Sequence, residues 1–370
     1  MKQIKCLFIV LALLICGNVC LAADNDDDGG GLDGTQYKYE GLLYRLDEDT
    51  REATVDNGNN WNGVLTIPSK IVYEGEEYTV TYIGWLAFDG CETLTKVVIP
   101  KTVKDIIHYA RWEACKNPFN GCTNLMNIEV AEDNPWMCSV GGVLFDKEQT
   151  FLYCYPAGSS RTSYTIPDGI RTIGLDAFAY ASNLIEVNVP SSVTLMWGGT
   201  FRGCKKLERT NIPEIKYVSA YMFRDCEKLQ SVEIPSSARG IEEQVFWGCS
   251  SLKVIDIPSS VEHIGSIAFG ECNLDAIVIR GIITQYLTKA IFERMNTSPI
   301  LYVPSSQIDK YKEIYTGTVL PLEAYYPTGI QKTLNEKSTM SSFYDLSGRR
   351  LSKEPQKGVY IRDRRKVVIK

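Results

Sequence analysis

The sequence predicts a mainly β solenoid, in which coils of about 23 residues stack to form a parallel strand sheet on one face. Three regularities support this prediction. A phenylalanine recurs every 22 or 23 residues in the central part of the chain, at Phe178, Phe201, Phe223, Phe246 and Phe269. Cysteine lies three residues after most of the phenylalanines, and leucine six residues after. Apolar residues lie nine and eleven residues after the phenylalanine, and proline lies twelve residues after it. Together these positions form a pattern that identifies a repeat array.

The shared pattern reads Ile-Gly-x-x-Ala-Phe-x-Gly-Cys-x-x-Leu-x-x-Val-x-Ile-Pro. Its Leu-x-x-Val-x-Ile segment alternates at the end, which predicts a short strand with one buried face. Proline then ends the strand because it has no N–H to donate. The return segment carries Ala-Phe into the interior. One coil cannot bury its own apolar face, so the coils are expected to stack with their strands ~4.8 Å apart.

These repeats resemble the leucine-rich repeats of the BspA-like family of bacterial surface proteins, over residues 37–325. The run from Glu77 to Gly84 is also similar to the family's usual lead into its first coil. The resemblance implies a leucine-rich-repeat solenoid in an exported surface protein. It further implies a binding role, since some family members are adhesins for host matrix proteins or other bacteria.

Departures from the period predict the domain organisation. The spacing between phenylalanines rises to 31 before Phe119 and to 59 after it, which predicts insertions. In the second insertion, residues 143–153 are expected to form a β-hairpin that projects from the array. Residues 307–315 are expected to form a short closing helix. The predicted segments are a signal peptide (1–22), an acidic glycine-rich linker (23–34), an N-terminal cap (35–84), the solenoid (85–305) with insertions near 109–118 and 131–163, a C-terminal cap (306–328), a linker (329–342) and a β module (343–370).

The N-terminus is typical of an export signal. Lys2 and Lys5 precede a short apolar run, and small residues follow, which predicts cleavage after Ala22. The alternative is a lipoprotein acylated at Cys16 or Cys20, although the triplets before these cysteines do not resemble the usual lipobox. No other segment reaches the ~18 apolar residues of a membrane span.

The C-terminal segments 343–350, 357–361 and 366–370 are predicted as short strands separated by turns. They resemble the sorting segments of surface-exported proteins in anaerobic gut and oral bacteria. The alternative interpretation is a plain terminal β-hairpin.

Composition and motifs argue against several functions. The net charge of -6 disfavours nucleic acid as a partner, because binding phosphates requires a basic surface. The two histidines, His108 and His263, have no nucleophile signature beside them. No Cys-x-x-Cys spacing of a zinc site and no phosphate or dinucleotide loop is present. Asp24, Asp26 and Asp28 begin like a calcium loop, but Thr35 stands where that loop needs glutamate, so this segment is interpreted as an acidic linker. We therefore expect no catalytic residue, no metal and no cofactor.

The cysteines allow two interpretations. An exported protein reaches an oxidising environment, which favours disulfide bonds between its cysteines. However, six cysteines occupy one repeat position, which favours an interior ladder of small buried thiols. Ala181 replaces cysteine in one coil, as expected for a packing role. Cys115, Cys138 and Cys154 lie in the insertions, where one disulfide remains open.

The candidate binding residues lie ten residues after each phenylalanine, where the side chain is expected to point outward from the strand sheet. Val98 begins this stripe, whose polar members are Glu129, Asn188, Asn211, Glu233 and Asp256. Trp112 in the first insertion and the predicted hairpin tip at residues 146–150 are further candidates, because loops on rigid scaffolds often bind ligands. The predicted function is non-catalytic adhesion, with a protein or glycan at the cell surface as ligand, such as a host matrix protein. The alternative is a ligand-binding component of an envelope or nutrient-uptake complex.

Overall fold

The computed structural model describes residues 35–58, 60–85, 87–106, 117–325, 343–344, 358–362 and 365–369. The predicted signal peptide and acidic linker, and with them Cys16 and Cys20, lie outside the described residues. The same holds for Trp112, Cys115 and His108 in the first predicted insertion.

The described part of the chain is mainly β, as the repeat predicts. Its strands are β1 (Thr35–Tyr39), β2 (Leu42–Asp47), β3 (Glu52–Asn57), β4 (Gly63–Thr66), β5 (Lys70–Tyr73), β6 (Glu76–Ile83), β7 (Leu94–Ile99), β8 (Asn127–Val130), β9 (Met137–Val140), β10 (Val143–Asp146), β11 (Phe151–Cys154), β12 (Ser163–Thr165), β13 (Thr172–Ile173), β14 (Glu186–Asn188), β15 (Leu195–Met196), β16 (Arg209–Thr210), β17 (Tyr217–Val218), β18 (Gly240–Ile241), β19 (Val254–Ile257), β20 (His263–Ile264), β21 (Ala276–Ile279), β22 (Ile300–Val303), β23 (Val319–Pro321), β24 (Phe343–Tyr344), β25 (Gly358–Arg362) and β26 (Arg365–Ile369). One α-helix, α1 (Ile308–Ile314), and 3-10 turns at Lys289–Phe292, Ser305–Gln307 and Leu322–Ala324 complete the elements.

The N-terminal cap is a five-stranded sheet in the order β1-β2-β3-β6-β5. Its buried face carries Tyr44, Val55 and Val80. Strand β4, which the sequence placed in the cap, instead pairs in parallel with β7. The cap therefore supplies the first rung of the repeat sheet, and it covers the apolar end of the array.

The Leu-x-x-Val-x-Ile segments form the predicted parallel sheet, which we call the front ladder. It has three parts, β4-β7-β8, β12-β14-β16 and β19-β21-β22-β23. Along each strand the buried and the outward positions alternate, as in β7, where Val97 and Ile99 are buried and Val98 is half-buried. The coil through Glu233 has no strand, so the ladder is interrupted between β16 and β19.

The return segments also pair, which the sequence analysis did not predict. Their two-residue strands form a second set of parallel pairs, the back ladder, in which β11-β13-β15 and β17-β18-β20 are neighbours. The Ile of each Ile-Gly pair points inward, as Ile173 and Ile264 do. Two ladders on opposite sides enclose the core.

The phenylalanines stack in a column through the core. Ring centroids of Phe201 and Phe223 are 5.6 Å apart, and those of Phe223 and Phe246 are 5.7 Å apart. In five coils the cysteine lies beside this column and donates its S–H to the carbonyl of the phenylalanine in the preceding coil, while Cys91 donates to carbonyls of the N-terminal cap. Cys226, for example, donates to the Phe201 carbonyl at 3.1 Å. Equivalent bonds join Cys122 to Phe88, Cys204 to Phe178, Cys249 to Phe223 and Cys272 to Phe246.

The prediction of buried free thiols at the repeat position is confirmed, since Cys91, Cys122, Cys204, Cys226, Cys249 and Cys272 are all free and buried. Cys138 and Cys154 are free as well, so they form no disulfide with each other. Burial raises the pKa of the Cys204 thiol to about 12 and that of Cys272 to about 12. The thiols are therefore protonated donors that hold one coil to the next.

The second predicted insertion is shorter than expected. Tyr155 lies 23 residues before Phe178 and its ring stacks on that phenylalanine, with centroids 5.1 Å apart. Pro167 follows it at the proline position, and β12 provides the front strand. Residues 155–177 thus form one coil of the array in which tyrosine replaces phenylalanine, while Gly158 and Arg161 occupy the usual cysteine and leucine positions.

The predicted β-hairpin is present as β10 and β11, but it does not project from the array. Strands β9, β10 and β11 form an antiparallel meander. On its other edge, β11 pairs in parallel with β13. Val143, Phe145 and Leu152 are fully buried in the main core. The meander is packed into the array because both of its faces carry apolar residues. Its tip is held by Asp146, which accepts hydrogen bonds from the backbone N–H of Thr150 and Phe151, both at 2.7 Å.

The closing helix is present as α1, with Tyr311 buried against the Phe292 ring. Beyond it, β23 joins the front ladder, and residues 322–325 pack on the ladder's outward side. There Tyr325 contacts Tyr302, with ring centroids 5.1 Å apart. The C-terminal end of the front ladder is therefore covered on both faces. At the C-terminus, β24, β25 and β26 pair as an antiparallel sheet.

Candidate functional site

The predicted binding stripe lies on the outward side of the front ladder, which we call the front face. Asn188, Asn211 and Glu233 are exposed, and Glu129 and Asp256 are half-buried. Strand register places Val98 directly beside Glu129.

Two acidic members of the stripe are bound to neighbouring basic side chains. Lys96 Nζ lies 2.7 Å from Glu129 Oε1, which also accepts a hydrogen bond from Asn127 at 2.9 Å. Arg280 forms a bidentate pair with Asp256, with distances of 2.7 Å and 2.6 Å. This contact raises the pKa of the Arg280 guanidinium, chiefly through the hydrogen bond with Asp256. Both carboxylates thus already have a basic partner within the fold.

The side chain of Asn211 is engaged with the backbone of the neighbouring coil. Its Oδ1 accepts from the Val189 N–H at 2.9 Å, and its Nδ2 donates to the Val189 carbonyl at 2.7 Å. The Asn211 amide therefore satisfies both backbone polar groups of Val189, in place of the backbone hydrogen bonds that a longer β16 would form.

Asn188 and Glu233 differ from these three. Within the described residues, neither side chain has a hydrogen bond or an ion pair, and both are exposed. Large apolar side chains lie on the same face, with Val64 57%, Met126 58% and Val254 38% exposed. The front face therefore combines available polar groups with exposed apolar surface, the mixture typical of protein interfaces.

His263 lies on the back ladder, where its Nε2 is 3.0 Å from Glu242 Oε1. Its ring also lies close to Gly240, whose missing side chain leaves room for it, and near the Tyr217 ring at 6.1 Å. Among the described residues, no group of three or more His, Cys, Asp or Glu side chains could hold a metal ion.

A concave site that the sequence analysis missed lies between the N-terminal cap and the first coils. We call it the cap cleft, and its volume is about 350 Å³. Its walls come from the β2–β3 turn, from β6, from the turn after β7 and from Trp136. Trp136 is 52% exposed at the rim, and Thr81 is 2% exposed at the floor. These residues are far apart in sequence, so no local motif signals the site.

The β2–β3 turn that carries Arg51 is fixed by Asp47. Its carboxylate accepts hydrogen bonds from the backbone N–H of Asp49 and Thr50, both at 3.0 Å. The bonds from Thr50 and Asp49 lower the pKa of the Asp47 carboxyl, so it is an anion at neutral pH. Arg51 itself adopts a left-handed conformation with φ 56°, and its guanidinium donates to the Tyr78 hydroxyl at 2.8 Å. The wall of the cleft is thus locally ordered.

No helix within the described residues is both long enough and apolar enough to cross a membrane.

Solved structures of bacterial leucine-rich repeat proteins are similar to this chain. One from Bacteroides ovatus is 20% identical with a TM-score of 0.43, over 76% of this chain and 66% of that one. The pneumococcal vaccine antigen PcpA is 17% identical with a TM-score of 0.42, over 78% and 98%. A leucine-rich cell surface protein from Faecalibacterium prausnitzii is 19% identical with a TM-score of 0.38, over 78% and 99%. The chain thus spans just under two thirds of the Bacteroides ovatus protein.

Comparison with curated protein sequences gives no match. The model of the BspA type leucine-rich repeat region matches six copies in this chain, at residues 76–139 and 148–275. These ranges contain the stacked phenylalanines, the buried thiols of the repeat position and the back ladder, and they cover more than half of the 370 residues. The chain therefore belongs to the BspA-type leucine-rich repeat family.

Proposed function

We propose that this protein is a non-catalytic adhesion protein of the bacterial surface, which binds a protein or glycan ligand through its front face. Membership of the BspA-type family supports a binding role, and the predicted signal peptide supports export. The observation that carries the proposal is the open front face, which presents exposed apolar side chains together with Asn188 and Glu233, whose side chains have no partner within the described part of the chain.

The size and composition of the front face support macromolecular binding. At ~4.8 Å per rung, a ladder of several coils offers a rigid surface tens of ångströms long. Met126 lies at its N-terminal part and Glu233 in its centre, so one ligand could contact both apolar and acidic groups. Rigid scaffolds lose little conformational entropy on binding.

The test measures binding of the purified protein to immobilised host matrix proteins and glycans by surface plasmon resonance. Two variants change the front face at side chains without partners in the described residues, Met126→Glu and Glu233→Lys. A matched control, Glu313→Lys, makes the same charge change on the exposed side of α1.

We expect the parent to bind at least one ligand and a front-face variant to lose about tenfold in affinity, which corresponds to ~1.4 kcal/mol. The control should bind like the parent. If both front-face variants bind as tightly as the parent, the front face is not the contact surface. If the parent binds no matrix protein or glycan, adhesion is wrong, and a role in an envelope or nutrient-uptake complex is favoured instead.

A further inference from the structure

We propose that the cap cleft is a second binding site, separate from the front face, which takes one acidic sugar residue of a glycan. Its floor supplies a hydroxyl, its rim supplies an indole ring, and its walls supply cations. Together these groups match a pyranose ring that carries a carboxylate or a sulfate.

The floor contains a polar group that the fold leaves without a partner. Thr81 lines the cleft and is 2% exposed, yet its Oγ1 has no hydrogen bond within the described structure. A buried hydroxyl without a partner costs free energy, so such groups require an explanation. A ligand hydroxyl in the cleft would provide the missing hydrogen bond. Thr79 and Thr102 add further hydroxyls to the lining.

The backbone of Trp136 is anchored at the rim. Asn134, which is fully buried, accepts a hydrogen bond from the Trp136 N–H at 2.8 Å. The Asn134 side chain also donates to the carbonyls of Pro100 and Val103, both at 3.0 Å. The segment of Trp136 is thereby tied to the turn that carries the lysines. The exposed indole on this anchored backbone offers a flat apolar face on which a sugar ring can stack.

The walls carry three cations, Arg51, Lys101 and Lys104, and one carboxylate, Glu52. Lys104 is paired with Glu52, and Arg51 lies 3.7 Å from the exposed carboxylate of Glu76. The ion pair of Lys101 with Asp133, at 3.1 Å, lies between side chains that are 62% and 66% exposed. Exposed pairs of this kind are weak, so a ligand anion can compete for the lysine. A neutral sugar would make no use of these cations.

The experiment is calorimetric titration of the full chain with three disaccharides, one carrying glucuronate, one carrying sulfate and one neutral. Inorganic sulfate at the same ionic strength shows whether a free anion suffices. The variants are Trp136→Ala, Trp136→Phe, Thr81→Val and Lys101→Gln. The control is Tyr286→Ala, which removes an exposed ring at the other end of the array.

We expect an acidic disaccharide to bind and the neutral one to bind at least about tenfold more weakly. Whether the glucuronate or the sulfate form binds more tightly identifies the anion. Trp136→Ala should abolish detectable binding, while Trp136→Phe retains part of it because a ring remains. Thr81→Val should lower the affinity by about fivefold without lowering the thermal unfolding midpoint, because no hydrogen bond is lost.

Equal binding of neutral and acidic sugars, or binding of inorganic sulfate as tight as that of the sugar, would overturn the assignment to an acidic sugar. Absence of binding, or binding that Trp136→Ala and Thr81→Val leave unchanged, would overturn the cap cleft as a site. Met126→Glu and Glu233→Lys should keep sugar binding, so failure of this proposal is distinguishable from failure of the front face as an adhesion surface.

Discussion

The amide of Asn211 forms two hydrogen bonds with the backbone of Val189 in the preceding coil, at 2.9 Å and 2.7 Å. This side chain joins the two coils where the regular strand pairing of β14 with β16 ends. Asn211 lies at the outward repeat position, so its sequence position suggested ligand binding. The contact instead gives it a role in stabilising the front ladder.

We expect Asn211→Ala to lower the free energy of unfolding by about 1–3 kcal/mol, because the Val189 N–H and carbonyl lose their partner. Chemical denaturation measures the change. Asn188→Ala is the matched control, since Asn188 occupies the same repeat position without a side-chain partner in the described chain, and it should stay within about 0.5 kcal/mol. Equal effects of the two substitutions would mean that the Asn211 contacts do not stabilise the protein.

Tyr155 replaces phenylalanine in the aromatic column, where it stacks on Phe178 at 5.1 Å. Tyr155→Phe restores the residue of the other coils and should leave thermal stability nearly unchanged. Tyr155→Ala removes the ring from the core and should cost about 3–5 kcal/mol, as large-to-small core substitutions do. The comparison of the two unfolding midpoints tests whether Tyr155 belongs to the column. A Tyr155→Ala variant as stable as Tyr155→Phe would exclude it.

The buried thiols predict a loss of stability at alkaline pH. Burial raises the pKa of Cys204 to about 12, from an ordinary value of 9.0. The unfolded chain therefore loses this proton above pH 9 while the native chain keeps it, so stability is complete below pH 9 and falls as the pH rises towards 12. At pH 10 the loss is roughly 1 kcal/mol for each such thiol.

Urea denaturation at pH 7.5 and pH 10 measures this loss. Cys204→Ala should reduce the difference between the two pH values, even though the substitution itself lowers stability at both. The native thiols should also react with a thiol reagent only after unfolding, because the reactive thiolate is suppressed by burial. Rapid labelling of Cys204 in the native protein at pH 8 would contradict the burial of its thiol in the core.

The pair of Asp256 and Arg280 joins β19 to the end of β21 across the front face. Its side chains are 40% and 43% exposed, so solvent weakens the attraction. We expect a coupling free energy of about 0.2–1 kcal/mol from a double-mutant cycle with Asp256→Asn and Arg280→Gln. The coupling should decrease between low and high salt. A coupling free energy that salt leaves unchanged would indicate that the two side chains interact by something other than charge attraction.

The repeat sequence was sufficient to predict the solenoid, the front strands and the buried cysteines, because one spacing determines all of them. The same logic failed at Tyr155, where the aromatic residue of the pattern changed and its coil was taken for an insertion. It also failed for the meander of β9, β10 and β11. An apolar hairpin can project or pack inward, and only its contacts with the core decide which.

The alternation along the front strands predicted an outward position for each stripe residue, but it could not predict what the side chain contacts. Asn188 and Asn211 occupy the same repeat position, yet one is exposed without a side-chain partner in the described chain and the other is bound to Val189. This difference depends on where the backbone of the neighbouring coil lies. A repeat pattern contains no such information.

The sequence by itself thus determined the family, the coil period and the composition of the core, because stacking of equivalent residues follows from the period alone. The tertiary structure decided the second ladder, the roles of Asn211 and Asp256, and the cap cleft. Arg51, Thr81, Lys101 and Trp136 come together there because the cap sheet packs on the first coils. Sites of this kind arise from packing between distant segments, and only the folded chain brings their groups to one place.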